Sequence, residues 1–107
     1  MVTSKTKVKA IGKTKAVGRI QVENQKLHRA GFIVGARYDR VFDSYDSSTD
    51  GFVVLSLNPT GAYAMAGNKG VPVLDIKCNE ALELFGEGGV VELVYEAGQI
   101  TLVRGFL

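Results

Sequence analysis

The chain states one pattern twice. A short apolar strand leads into a one- to two-turn helix that ends in Phe and Gly, and a strand hairpin follows. The first copy runs from Ile20 through Leu27, Ala30-Gly31-Phe32 and Gly35 into Tyr38-Val41-Phe42, returning along Phe52-Val53-Val54-Leu55. The second runs from Val73-Leu74 through Ala81-Leu82, Leu84-Phe85-Gly86 and Gly88 into Val90-Val91-Leu93-Val94-Tyr95, returning along Ile100-Thr101-Leu102-Val103. Laying Phe32 on Phe85 carries Gly35 onto Gly88, Val41 onto Val94 and Ile20 onto Val73 without a gap. Such an internal repeat predicts a two-lobed body about a pseudo-twofold axis, because neither unit alone buries both faces of its hairpin.

The 107 residues, 46% of them hydrophobic, suit one domain with a shared core. No apolar run reaches the roughly 20 residues of a membrane span. The lysine-rich start has no apolar stretch behind it, so it does not read as a secretory signal. A lone cysteine, Cys78, forms no internal disulfide and is too little for a zinc site, which points to the cytoplasm. The net charge of +2 hides an asymmetry: residues through Val53 carry +5 and the remainder −3. A basic front half is prepared for a polyanion or an acidic protein.

Four segments follow: a basic arm over 1–18, a first unit over 19–57, a linker over 58–70 and a second unit over 71–107. In the arm, Lys5, Lys7 and Lys9 alternate with Thr6, Val8 and Ala10. That period predicts an edge strand with lysines on one face, which also protects a sheet edge from aggregation. Asn24 is the expected N-cap of a short helix through Ala30, closed by Gly31. Residues 43–51 form a long polar loop holding Tyr45. Tyr63 lies in the linker, where Ala62-Tyr63-Ala64-Met65 has the pattern of a short strand. Gly98 supplies the positive φ of a tight hairpin turn. Phe32, Phe42, Phe52, Phe85 and Tyr95 are expected in the core, each contributing about 1.5–3 kcal/mol on burial.

The run Leu27-His28-Arg29-Ala30-Gly31-Phe32-Ile33-Val34-Gly35 resembles the SymE-like branch of the SpoVT/AbrB superfamily, and Asp75 to Gly86 followed by Gly88 resembles the same unit more distantly. The proline that often opens the helix in these families is absent after Val22, and the second copy is acidic. The resemblance implies a mainly β fold with short helices: a swapped-hairpin barrel built as an intramolecular pseudodimer of two tandem β-α-β-β units. It also implies nucleic-acid binding by a regulator or antitoxin-type module. Lysines that neutralise phosphates release counterions, so Lys5, Lys7, Lys9, Lys13, Lys15 and Lys26 fit a DNA or RNA backbone. Arg19, Arg29, Arg37 and Arg40 offer the planar fork for bidentate contacts. The other reading of these charges is a solvated surface.

Nothing in the chain reads as catalytic. His28, the only histidine, has no nucleophile at a motif spacing, and surface exposure is the simpler reading. Cys78 lacks a neighbouring base and reads as a structural thiol. Glu80, Glu83 and Glu87 line one solvated face, and Gly86-Glu87-Gly88-Gly89 follows a helix where phosphate cradling requires it to precede one. The expectation is therefore a non-enzymatic binder without cofactor or metal. The alternative is a small phage- or mobile-element-encoded protein that inhibits or regulates a host defence complex of the nuclease or CRISPR type. Tyr45 and Tyr63, in connecting segments, are candidates to stack on a base or to anchor a protein contact, and further homo-oligomerisation is open.

Overall fold

Alternation of apolar and polar residues commits most of this chain to strands, and the computed structural model, which describes residues 2–11, 17–43, 52–78 and 85–105, is mainly β. In order, the elements are β1 (Val2–Lys7), β2 (Lys9–Ile11), β3 (Val17–Glu23), α1 (Gln25–Arg29), β4 (Arg37–Asp43), β5 (Phe52–Leu57), β6 (Tyr63–Ala64), β7 (Ala66–Asn68), β8 (Val71–Cys78), β9 (Val90–Glu96) and β10 (Gln99–Arg104). They form two antiparallel sheets, one of six strands ordered β1-β9-β10-β5-β4-β6 and one of four ordered β2-β3-β8-β7. Among the described residues no helix is long and apolar enough to cross a membrane.

Both orders are unchanged when β1 exchanges with β6, β2 with β7, β3 with β8, β4 with β9 and β5 with β10. The hydrogen bonds repeat with the strands. Ala36 N–H donates to the Ile33 carbonyl at 3.0 Å, and Gly89 N–H to that of Gly86 at 3.1 Å. Gly35 and Gly88, at φ 84° and 74°, occupy matching places in these turns, in a region that disfavours any residue with a Cβ. The correspondence extends past the units read from the sequence. The arm and the linker, expected to lie outside the repeated body, match each other as β1–Val8–β2 and β6–Met65–β7.

Each of these segments runs along one sheet and then crosses to the other. At the crossing Val8 exchanges hydrogen bonds with Gly88 and Gly89, and Met65 with Gly35 and Ala36, all between 2.8 and 3.0 Å. The backbone of the crossing residue is thus paired with a turn instead of a strand, so the two sheets stack and do not close into the expected barrel. Val8 and Met65 are 1% and 3% exposed, because the crossing points their side chains between the sheets. This also corrects the reading of one continuous lysine strand: Lys5 and Lys7 belong to β1 and Lys9 to β2, in different sheets.

One core joins the inner faces. Ile20, Val22, Leu74 and Ile76 from the four-stranded sheet meet Val53, Leu55, Leu93, Ile100 and Leu102 from the other. Helix α1 closes one end. Asn24 caps it by accepting from Leu27 N–H at 3.2 Å. Gly31, at φ 94°, ends it in a Schellman arrangement, with Gly31 N–H bonded to His28 and Phe32 N–H to Leu27. Leu27 and Phe32, both fully buried, supply the apolar contact of that motif. The short helix that the sequence predicts in the second half falls on residues outside the described ones. Phe32, Phe85 and Tyr95 are buried as expected. Phe42 packs against the core half-exposed, and Phe52 pairs with Val103 on the outer face of the six-stranded sheet.

Candidate nucleic-acid interface

Crossing at Val8 brings together lysines from two sheets. Lys7 ends β1, Lys9 begins β2, and Lys9 stands directly opposite Arg19 on β3. Together with Thr6, Ile11 and Gln21 they line a groove of about 130 Å³. Arg19 in turn stands opposite Lys77 on β8, so three cations form a row across the outer face of the four-stranded sheet. With adjacent strands about 4.8 Å apart, that row spans roughly 10 Å. Among the described residues the side chains of Lys7 and Lys9 make no hydrogen bond or ion pair.

Arg19 is held differently. Its Nε and Nη2 both donate to the Asp75 carboxylate at 3.0 Å, a bidentate pair that fixes the guanidinium plane. Lys77 Nζ lies 3.7 Å from the same carboxylate. Hydrogen bonding from Arg19, with the added positive charge of Lys77, holds the Asp75 carboxyl below its ordinary value of 3.8. A pKa lowered by folding stabilises the folded chain above that ordinary value, and the contribution is lost as the pH falls through the folded-state value. The wild type is therefore expected to melt above an Asp75→Asn variant at pH 6, with the gap narrowing as the pH is taken below 3.8 toward 2. A gap of constant size from pH 6 to pH 2 contradicts the assignment.

The remaining sequence candidates are dispersed. Lys5 lies opposite Glu92 in the β1–β9 register. Lys26 Nζ donates to the Thr3 carbonyl at 2.7 Å, tying α1 to β1. Arg29 is exposed and lines a shallow 200 Å³ depression with Val2, Ala30 and Tyr95. Arg37 Nε donates to the Gly61 carbonyl at 2.8 Å. Arg40 lies on the core side of β4, its guanidinium 3.5 Å from the Tyr63 ring centre and its Nε buried without a partner among the described residues. Tyr63 is 38% exposed and also meets Tyr38, 5.7 Å between ring centres. Burial pushes the Tyr38 phenol up, and the charge of Arg40 opposes that shift. Lys13, Lys15 and Tyr45 lie outside the described residues, as do Glu80 and Glu83. His28 and Glu87 are exposed. Lys77, at 53% side-chain exposure, was not among the sequence candidates; its period-two offset from Asp75 was the available signal.

The second crossing has the opposite chemistry. Where the first has Lys7, Lys9 and Arg19, the exchange of halves places Ala64, Ala66 and Val73, with Ala66 opposite Val73 as Lys9 is opposite Arg19; this register corrects the gapless alignment of Ile20 with Val73 by one residue, so that Ile20 and Val22 match the buried Leu74 and Ile76. Where the first turn has Gly86 and Glu87, the second has Ile33 and Val34, both nearly half exposed. The two crossings share their backbone bonds, so the cations are not required by the fold. Comparison with protein-family models, curated proteins and solved structures finds no match.

Proposed function

We propose that the protein is a non-enzymatic nucleic-acid-binding module that grips the phosphate backbone at the Val8 crossing, within the cytoplasm. One observation carries this reading: the same backbone corner is built twice, and only one of the two is cationic. Among the described residues the Lys7 and Lys9 ammonium groups have no partner; both line one groove, and Asp75 holds the Arg19 fork opposite Lys9. Point charges and an oriented guanidinium lining the same groove are the equipment for backbone contact without sequence readout. The palindromic strand orders support taking the halves as tandem units of the swapped-hairpin kind, and the resemblance of residues 27–35 to SymE-like regulators points to the same chemistry.

Fluorescence anisotropy with labelled duplex DNA and single-stranded RNA at 50 and 200 mM salt tests the assignment. Each phosphate contact contributes about 0.9 to the salt slope on duplex DNA, so two contacts change affinity about tenfold across that fourfold range. The wild type is expected to lose about ten times more affinity between the two salts than a Lys7→Ala, Lys9→Ala double variant, whereas Lys69→Ala, at the β7–β8 turn, keeps the wild-type slope. Equal slopes for wild type and double variant, or no binding of either probe at 50 mM salt, overturn the reading and leave the protein-binding alternative.

A further inference from the structure

One face of β1 meets a depression at each end. Val2, Ser4 and Thr6 stand opposite Tyr95, Leu93 and Val91, three buried residues of β9, so they share the side of β1 that faces the four-stranded sheet. Thr6 lines the groove of the Val8 crossing, and Val2 lines the 200 Å³ depression beside α1. Four residues of strand separate the two, roughly 14 Å.

The depression at Val2 is lined mostly by apolar residues, Val2, Ala30, Tyr95 and Ala97, and Val2 is 48% exposed there. Its walls are tied in place. The Tyr95 hydroxyl lies 2.6 Å from Ser4 Oγ and accepts from Asn24 Nδ2 at 3.3 Å, and Gly98 N–H donates to the Ala30 carbonyl at 2.8 Å, which binds the β9–β10 turn to the end of α1. The charged residues of the lining are two cations, Lys26 and Arg29, against one acid, Glu96. Lys26 is engaged with the Thr3 carbonyl, whereas among the described residues the Arg29 side chain makes no hydrogen bond or ion pair.

We propose that this depression takes an unstacked base of a single nucleic-acid strand whose phosphates lie in the groove of the Val8 crossing. The inference rests on the nucleic-acid reading and adds to it the state of the strand. Phosphates gain nothing from an apolar surface, and a base within a duplex has both faces covered by its neighbours. The groove and the depression are therefore filled together only by a strand whose bases are free to splay. Val2 and Tyr95 give the base its apolar contact, and Arg29 gives the phosphate of that nucleotide a guanidinium with no protein partner to displace. A span of roughly 14 Å makes this a short site, of about four nucleotides.

Fluorescence anisotropy at 50 mM salt, with a labelled single strand of about ten nucleotides and the duplex of the same sequence, tests it. The wild type is expected to bind the single strand at least about tenfold more tightly than the duplex, the effect of one base contact. Val2→Ser is expected to lower that ratio about tenfold, while Val41→Ser, at an exposed valine of β4, keeps it. Should Val2→Ser fail to fold by circular dichroism, Arg29→Ala, outside the sheets, makes the same test with the same direction of effect. Equal affinity of the wild type for the two probes overturns the proposal, as do folded variants that keep the wild-type ratio; both outcomes leave standing the nucleic-acid reading, which depends on the Lys7 and Lys9 salt slope. Absence of binding to either probe overturns both.

Discussion

A Phe32→Ala chain is expected to lose about 3–5 kcal/mol of stability and to unfold as a whole. Phe32 is fully buried, ends the Schellman turn of α1, and meets the Tyr38 ring at a tilt of 58° with ring centres 5.9 Å apart. Its removal leaves a cavity where helix, turn and both sheets converge, and the Leu27 contact that closes the helix is lost with it. At about 4–8 °C per kcal/mol for a domain of this size, the melting temperature falls by roughly 15–30 °C. Because the inner faces of both halves share one core, the transition stays single. Urea melts followed at the aromatic signal and at the backbone signal should coincide for wild type and variant; two separated transitions would show that the halves hold independent cores.

A Gly61→Ala chain is expected to be the next most damaged, by about 3 kcal/mol, at the upper end of overpacking costs. A methyl group on Gly61 would lie 2.5 Å from the Tyr38 carbonyl oxygen and 2.8 Å from its nitrogen. Those atoms belong to the β4 ladder and have little freedom to move, so the 58–62 connection has to lift away. Lifting it breaks the Arg37 bond to the Gly61 carbonyl and the two bonds that Asp39 accepts from Asn58 and Ala62. Thermal melts of this variant beside Gly70→Ala provide the check. At Gly70, φ is 80° and no neighbour lies within reach, so the cost there is backbone strain alone, about 1 kcal/mol. Equal melting points for the two variants would mean that the approach of Gly61 to β4 is not tight.

Local rules were legible in single residues. Asn24 caps α1, Gly31 ends it, Gly98 turns the β9–β10 hairpin, and the alternating apolar positions of β3, β8, β9 and β10 face the core. Each depends on a backbone preference or a two-residue period that neighbours in sequence express. The site was legible only in part. Lys7, Lys9 and Arg19 were candidates among ten cations, and nothing in their spacing separated them from Lys26 or Arg37, which the fold engages in holding backbone carbonyls. What sorts them is the strand register that sets Lys9 opposite Arg19, and a contact between residues ten apart depends on where the chain reverses.

The repeat, its apolar faces and the excess of positive charge in the first half belong to the sequence alone, because period and composition are properties of the chain in any conformation. The crossings at Val8 and Met65 belong to the tertiary structure. A valine among lysines reads locally as one more inward side chain of a continuous strand. It becomes a corner only when Gly88 and Gly89, some 80 residues away, satisfy its backbone and leave Lys7 and Lys9 in different sheets around one groove. The same holds for the end of β4, whose pairing with β6 stops after Arg37 and Tyr38 because β6 is two residues long.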